Sequence, residues 1–283
     1  MPFSAITKNV AFSHGPHAGS TVAVHFPENF NPAGPFALCV FIHGLSGDTP
    51  FEKHIEMAIA QIKSSSTNSL LVAPRFGGND DPGSFANATA FSSFVGDLKS
   101  VLPPLLTQGG MAPADANQIA TYAASKAPIV LVGFSGGHRP LNAVLKGLLA
   151  IDGNSDLAKA TRCADRVVGI ALLDSIYGDT SSSGPVAWQE SRRAKTALLS
   201  IYGRNTGDNA KVANTKLITT LEATGPVQTP ASWQDLATFP AGTVAFFEVT
   251  TSHLSIPRDG PPHEPVAAFL TILGDRLASF PSS

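Results

Sequence analysis

Charge is scarce in this chain. Lys, Arg, Asp and Glu make up 14% of its 283 residues, against roughly 25% in an average soluble protein. The formal net charge is −2, and no cluster of Lys or Arg stands out. A phosphate-binding footprint needs such a cluster, so the composition argues against a nucleic-acid partner. Cysteine is sparse too, with Cys39 and Cys163 the two in the chain. Neither lies in a C-x-x-C or Cys/His ligand spacing, which argues against a structural zinc. Cys39 sits inside the apolar run "FALCVFI", where a buried free thiol is the expected state. One disulfide between the two stays open at this point. No apolar run approaches the ~18 residues that a membrane helix requires. The start, "MPFSAITKNVAFSHG", lacks the basic stretch and apolar run of a secretory signal. The expectation is no membrane partner and, by default, a cytoplasmic location; a trimmed signal would leave the same chain.

What the chain does have is apolar bulk and rhythm. Hydrophobic residues make up 43%, and the length suits one large core, taken as a single domain over residues 1–283. Strand-like runs recur at residues 20–26, 36–43, 69–75, 128–134, 166–174, 195–202 and 243–250. The middle ones are apolar at both parities, as expected of strands covered by helices on both faces. Helical periodicity fills the gaps at 51–65, 91–106, 114–126, 138–151, 209–223 and 264–280. Strand alternating with helix predicts an α/β architecture around a mostly parallel sheet of eight strands. Two early runs, near 5–12 and 20–26, have no helix between them and predict an antiparallel hairpin at one sheet edge. The polar stretches at 75–85 and 178–185 read as loops beyond strand ends, where open α/β sheets bind ligands.

The stretch "VLVGFSGGHRP" then carries chemistry. Ser135 stands in G-x-S-x-G between Gly133 and Gly137, after an apolar strand and before a periodic helix. So tight a strand-to-helix turn strains the backbone at the serine, and small neighbours leave its hydroxyl exposed. The alternative is a glycine-rich turn whose serine only caps the helix. A nucleophilic serine needs a base, and the base an orienting acid. Of the histidines, His253 in "TSHLSIP" leaves the end of the last strand and reaches back over the sheet. His263 reads as a residue at the start of the final helix, and His54 as part of a solvated helix face. For the acid, Asp174 is a charge closing the apolar run "VVGIALLD" and needs a partner. Asp208 is the alternative, but "TGDNAK" already gives it a helix-capping role. "FIHGLSGD" follows another strand and offers the backbone N–H of Leu45 as an oxyanion donor beside that of Gly136.

Together, "FIHGLSGD", "GFSGG", "LLDSIYG" and "TSHLSIP" resemble the α/β-hydrolase superfamily, in its order of oxyanion loop, nucleophile, acid and histidine. The resemblance covers nearly the whole chain. It implies Ser135 as nucleophile, His253 as general base and acid, and Leu45 with Gly136 as oxyanion hole. No segment of the sequence is long enough to form a large cap domain, which predicts an open site. The family more often carries its acid one strand later, which points to Asp208; some lipases carry it where Asp174 stands. It implies a hydrolytic reaction by a serine mechanism that needs no cofactor and no metal; most members cleave esters, so a carboxylic ester, small or polymeric, is the substrate expected. Amidases, peptidases, acyltransferases and non-catalytic binding modules share the fold and remain alternatives. Phe51, Phe76, Phe85, His138, Arg139, Tyr177 and Trp188 lie near the expected site and are candidates for binding substrate; Arg75 is a second cation that a substrate carboxylate would suit.

Overall fold

The computed structural model describes residues 6–12, 20–44, 50–76, 85, 89–152, 163–177, 183–203, 208–230, 242–250, 252–256, 265–274 and 277. Eight strands form one sheet: β1 (Ile6–Ala11), β2 (Thr21–Phe26), β3 (Ala37–Ile42), β4 (Ser69–Pro74), β5 (Ile129–Phe134), β6 (Val167–Leu173), β7 (Ala197–Gly203) and β8 (Val244–Val249). Their order is β1-β2-β4-β3-β5-β6-β7-β8. β1 and β2 form the antiparallel edge hairpin, β2 runs antiparallel to β4, and every pairing from β4 through β8 is parallel.

The two-parity hydrophobicity of the central runs has a direct cause. Leu38, Val40 and Ile42 of β3 join one apolar cluster, while Cys39 and Phe41 join the other on the opposite face. The first face is covered by α2 (Ala90–Gln108), α3 (Pro113–Ser125), α4 (His138–Asp152), α6 (Ser183–Arg192) and α7 (Asp208–Glu222). The second is covered by α1 (Phe51–Ser64) and α8 (Pro265–Ile272). A four-residue helix, α5 (Cys163–Arg166), leads into β6. Arg166 is buried there and donates to the carbonyls of Ala123, Ala124 and Ala127 at 2.6–2.7 Å. Its guanidinium thus satisfies the orphan carbonyls and the negative dipole end of α3. Cys39 and Cys163 are both free and buried, and burial pushes the Cys39 thiol up to about 12.

Two expectations need correction. Ser183–Arg192 is a helix, although its Ser, Gly and Pro read as the end of a loop; Pro185 falls in the first turn, where a missing N–H does no harm. Residues 178–182 of that loop, and 77–84 of the earlier one, lie outside the described residues. His54 is not solvated. It lies three residues from Phe51 and beside Ile55, on the stripe of α1 that faces the core, and is 2% exposed.

Two buried histidines make stability depend on acid. Burial is the main force holding His25 down to about 4, with Lys63 adding to it. Burial likewise holds His54 at about 4, with His43 and His253 next in effect. An unfolded histidine titrates near 6.5. Between about pH 6.5 and about pH 4 the unfolded state therefore binds the extra protons, and stability falls as pH falls through that window. The expected loss is on the order of 2 kcal/mol per histidine. Guanidinium unfolding at pH 7 and pH 4.5 measures it, and His54→Phe, which takes up no proton, should shrink the difference. An unchanged difference in that variant would remove His54 as a source.

Candidate active site

The carboxyl ends of β3, β5, β6, β7 and β8 converge on one rim of the sheet, because all five strands run parallel. Ser135 follows the last residue of β5 and opens a short 3-10 turn, Ser135–Gly137, that runs on into α4. Its φ is +50°, a left-handed conformation that costs a non-glycine residue about 1 kcal/mol or more. The glycines around it follow from close approach. A Cβ on Gly137 would run into the carbonyl oxygens of Ile42 and His43, so only glycine lets the start of α4 sit against the end of β3. A Cβ on Gly44 would stand 2.7 Å from the Ser135 Cβ, so the segment after β3 passes hard against the serine.

His253 opens a second 3-10 turn, His253–Ser255, beyond β8. Its Nε2 lies 2.8 Å from Ser135 Oγ, and its Nδ1 lies 2.6 Å from Asp174 Oδ2. Phe134 stacks beneath its ring at 5.1 Å between centroids. Asp174 directly follows β6 and also has positive φ, +44°. Its N–H donates to Ile201 O at 2.7 Å, and the N–H of Gly203 donates to Asp174 Oδ1 at 3.2 Å. Both partners belong to β7, so the neighbouring strand fixes the carboxylate. The Asp174 side chain is 0% exposed and that of His253 is 27% exposed. The array therefore runs from a buried acid out to a partly exposed serine.

Tautomers follow from these bonds. The carboxylate accepts, so Nδ1 carries the ring proton, and Nε2 keeps the lone pair that accepts the Ser135 O–H. The arrangement is primed to draw a proton from Ser135.

Of the other sequence candidates, Tyr177 comes to the array: its hydroxyl is 3.1 Å from His253 Nδ1. Burial and then the Asp174 charge raise its pKa, so it stays a neutral phenol. His138 is half-buried beside it, with ring centroids 5.9 Å apart, and its Nδ1 lies 3.2 Å from Ser135 O. Arg139 is exposed and Phe76 half-buried. Phe51, Phe85 and Trp188 are corrected to core residues, at 1%, 2% and 0% exposure, and present no surface to a substrate. Trp188 Nε1 donates to Thr196 Oγ1 at 3.0 Å deep under the sheet. Arg75 lies 3.7 Å from Glu52 and 5.3 Å over the Phe51 ring, a structural pairing. Gly136 is buried in the turn after Ser135, at the N-terminal end of the helix. Leu45 lies outside the described residues, as does the Asp208 side chain; the Asp208 backbone starts α7.

His43 directly follows β3. Its Nδ1 donates to Gly44 O at 2.7 Å, and its Nε2 accepts the N–H of Phe76 at 3.0 Å. It ties the segment entering the Leu45 loop to the segment after β4. Burial lowers its pKa and keeps it neutral, as the acceptor role of Nε2 requires. The "HG" pair closing an apolar run was the signal available in sequence. Among the described residues no group of three His, Cys, Asp or Glu is placed to hold a metal, and no helix is long and apolar enough to cross a membrane.

No family model matches the chain, and no curated protein matches it. Solved structures do. A mutant of the feruloyl esterase module from Clostridium thermocellum, complexed with sinapinate, is 14% identical over 99% of this chain and 88% of its own, with a TM-score of 0.50. Esterase 2 of Thermogutta terrifontis, phosphoramylated by tabun, is 12% identical over 95% and 92%, with a TM-score of 0.48. The first likeness, with the strand order and directions above, decides the architecture. The chain has the α/β-hydrolase fold. Within this α/β-hydrolase fold Asp174 stands beyond β6, and the alternative, Asp208, stands beyond β7.

Proposed function

We propose that the protein is a serine hydrolase that cleaves carboxylic esters through an acyl-enzyme. The observation that carries this reading is the continuous line from Ser135 Oγ to His253 Nε2 at 2.8 Å and from His253 Nδ1 to Asp174 Oδ2 at 2.6 Å. Ser135 Oγ attacks the ester carbonyl carbon while His253 Nε2 takes its proton. Asp174 holds the imidazole in the required tautomer and stabilises the imidazolium. The backbone N–H groups of Leu45 and Gly136 stabilise the oxyanion, with the dipole of α4 behind Gly136. The tetrahedral adduct collapses, and His253 returns the proton to the leaving alkoxide. Water repeats the sequence on the acyl-enzyme, releasing the acid and restoring Ser135. Every proton and electron pair is moved by these residues, the substrate and water.

The positive φ of Ser135 supports the nucleophile role over helix capping. A cap residue gains nothing from a strained backbone, whereas an elbow lifts the hydroxyl off the sheet. The test is labelling with a fluorophosphonate followed by peptide mapping, run beside chromogenic esters and anilides of graded chain length. The expected result is one phosphonylated residue, Ser135, with labelling lost in His253→Ala and turnover of esters well ahead of anilides. No label at Ser135 would put a non-catalytic module in place of the enzyme. Anilides ahead of esters would make it an amidase or peptidase.

A further inference from the structure

Tyr177 belongs to the array that holds His253. Its hydroxyl lies 3.1 Å from His253 Nδ1, yet that nitrogen has no lone pair to offer, because its proton is given to Asp174 Oδ2 at 2.6 Å. The tyrosine proton must therefore go elsewhere. Asp174 and Ser135 are the side chains that act on this hydroxyl, and of these Asp174 carries the negative charge and meets the same ring nitrogen at 2.6 Å. We propose that Tyr177 is a positioning residue whose O–H donates to the Asp174 carboxylate and thereby sets how strongly that carboxylate holds the His253 imidazole. The effect on turnover rests on the serine-hydrolase reading; the hydrogen-bond geometry does not.

The burial of Asp174 makes this donor matter. At 0% side-chain exposure the carboxylate has no bulk water to replace a lost donor. Its donors include the Gly203 N–H on Oδ1 and the His253 N–H on Oδ2, with the Tyr177 O–H, as proposed, beside them. Tyr177 keeps its proton across the working range, because burial and the Asp174 charge both oppose the phenolate. Removing the hydroxyl leaves the carboxylate with more unshared charge, which favours the imidazolium form of His253. The other groups facing His253 do not supply this control. Phe134 stacks on its ring and is uncharged. His54, behind Phe134, is held at about 4 and is neutral while His253 works as a base; His43, stacked on His54, is lowered as well. His138 faces Tyr177 and bonds the Ser135 carbonyl.

Tyr177→Phe keeps the ring against His138 and removes only the hydroxyl; Tyr177→Ala removes both. The His253 ring is followed by proton NMR against pH, its resonance assigned by its loss in His253→Ala, and kcat and KM are measured across the same range. In Tyr177→Phe the His253 titration midpoint and the acid limb of kcat/KM are expected to move up together by about half a pH unit or more. Fold stability should hold, kcat should fall about threefold to tenfold and KM should stay within about twofold. Tyr177→Ala should show the same midpoint shift. A midpoint that stays put or moves down in Tyr177→Phe, or one that moves only in Tyr177→Ala, would overturn the proposal. The NMR midpoint needs no turnover, so absent activity and an unlabelled Ser135 would strike the serine-hydrolase reading alone.

Discussion

Ser135→Ala should lower kcat on ester substrates by roughly 10⁶, the scale seen when the nucleophile of a serine triad is removed. Everything else in the site stays. His253 keeps its 2.6 Å bond to Asp174, and Gly136 keeps its place at the helix start. What disappears is the atom that forms the acyl bond in the proposed mechanism. The residue left behind is water attack aided by binding and oxyanion stabilisation, about 10³–10⁴ above the uncatalysed rate. Stability should change little, within ~0.5 kcal/mol, because alanine meets the same left-handed backbone penalty as serine at φ +50°. The pair of results separates chemistry from folding. A variant that melts like the parent yet keeps more than a hundredth of its turnover would show that another residue is the nucleophile.

Much of this arrangement is readable from the chain because the parallel strands are buried on both faces. Runs such as "PIVLVGF" and "VVGIALLD" have no polar parity to confuse them with surface strands. Ser135, Asp174 and His253 then each follow a strand end, and parallel strands bring their carboxyl ends to one rim. Pairing is different. That β4 lies between β2 and β3, and that β7 supplies the Gly203 N–H to Asp174, are long-range facts with no local signature. The aromatic candidates failed for a related reason. Phe51, Phe85 and Trp188 lie near the expected site, but burying such a ring fully gains about 1.5–3 kcal/mol over leaving it exposed, and all three are buried. His54 was misread because its charged neighbours Glu52, Lys53 and Glu56 fall on the far side of α1. Tyr177 is a candidate from sequence because it lies near the expected site; that its hydroxyl meets the histidine depends on the turn after β6, where Asp174 itself has positive φ.

Asp174→Asn should lower kcat by roughly 10⁴, as in serine triads that lose the charge and keep the shape. The cause lies in the donors around the side chain. Asp174 Oδ1 faces the Gly203 N–H at 3.2 Å, and Oδ2 faces His253 Nδ1 at 2.6 Å. A carboxylate accepts from both; an asparagine has one oxygen and one NH₂. With its oxygen toward Gly203, its NH₂ points at Nδ1 and forces the histidine proton onto Nε2. Nε2 then faces Ser135 as a donor and cannot take the serine proton. With its oxygen toward His253, the NH₂ meets the Gly203 N–H at a fully buried side chain, and the imidazolium loses its counter-charge besides. Both orientations fail, and the protein should choose the first, which keeps a hydrogen bond to both Gly203 and His253. Asp208→Asn is the matching control. Asp208 opens α7 beyond β7, and a neutral asparagine serves a helix start almost as well as aspartate, so turnover should stay within about threefold of the parent. The measurement is kcat/KM for both variants on one chromogenic ester across pH 5–9. A 10⁴-fold loss in Asp208→Asn beside a mild effect in Asp174→Asn would move the acid one strand along. Equal, mild losses in both would mean that His253 works without a carboxylate, which the 2.6 Å contact with a fully buried Asp174 argues against.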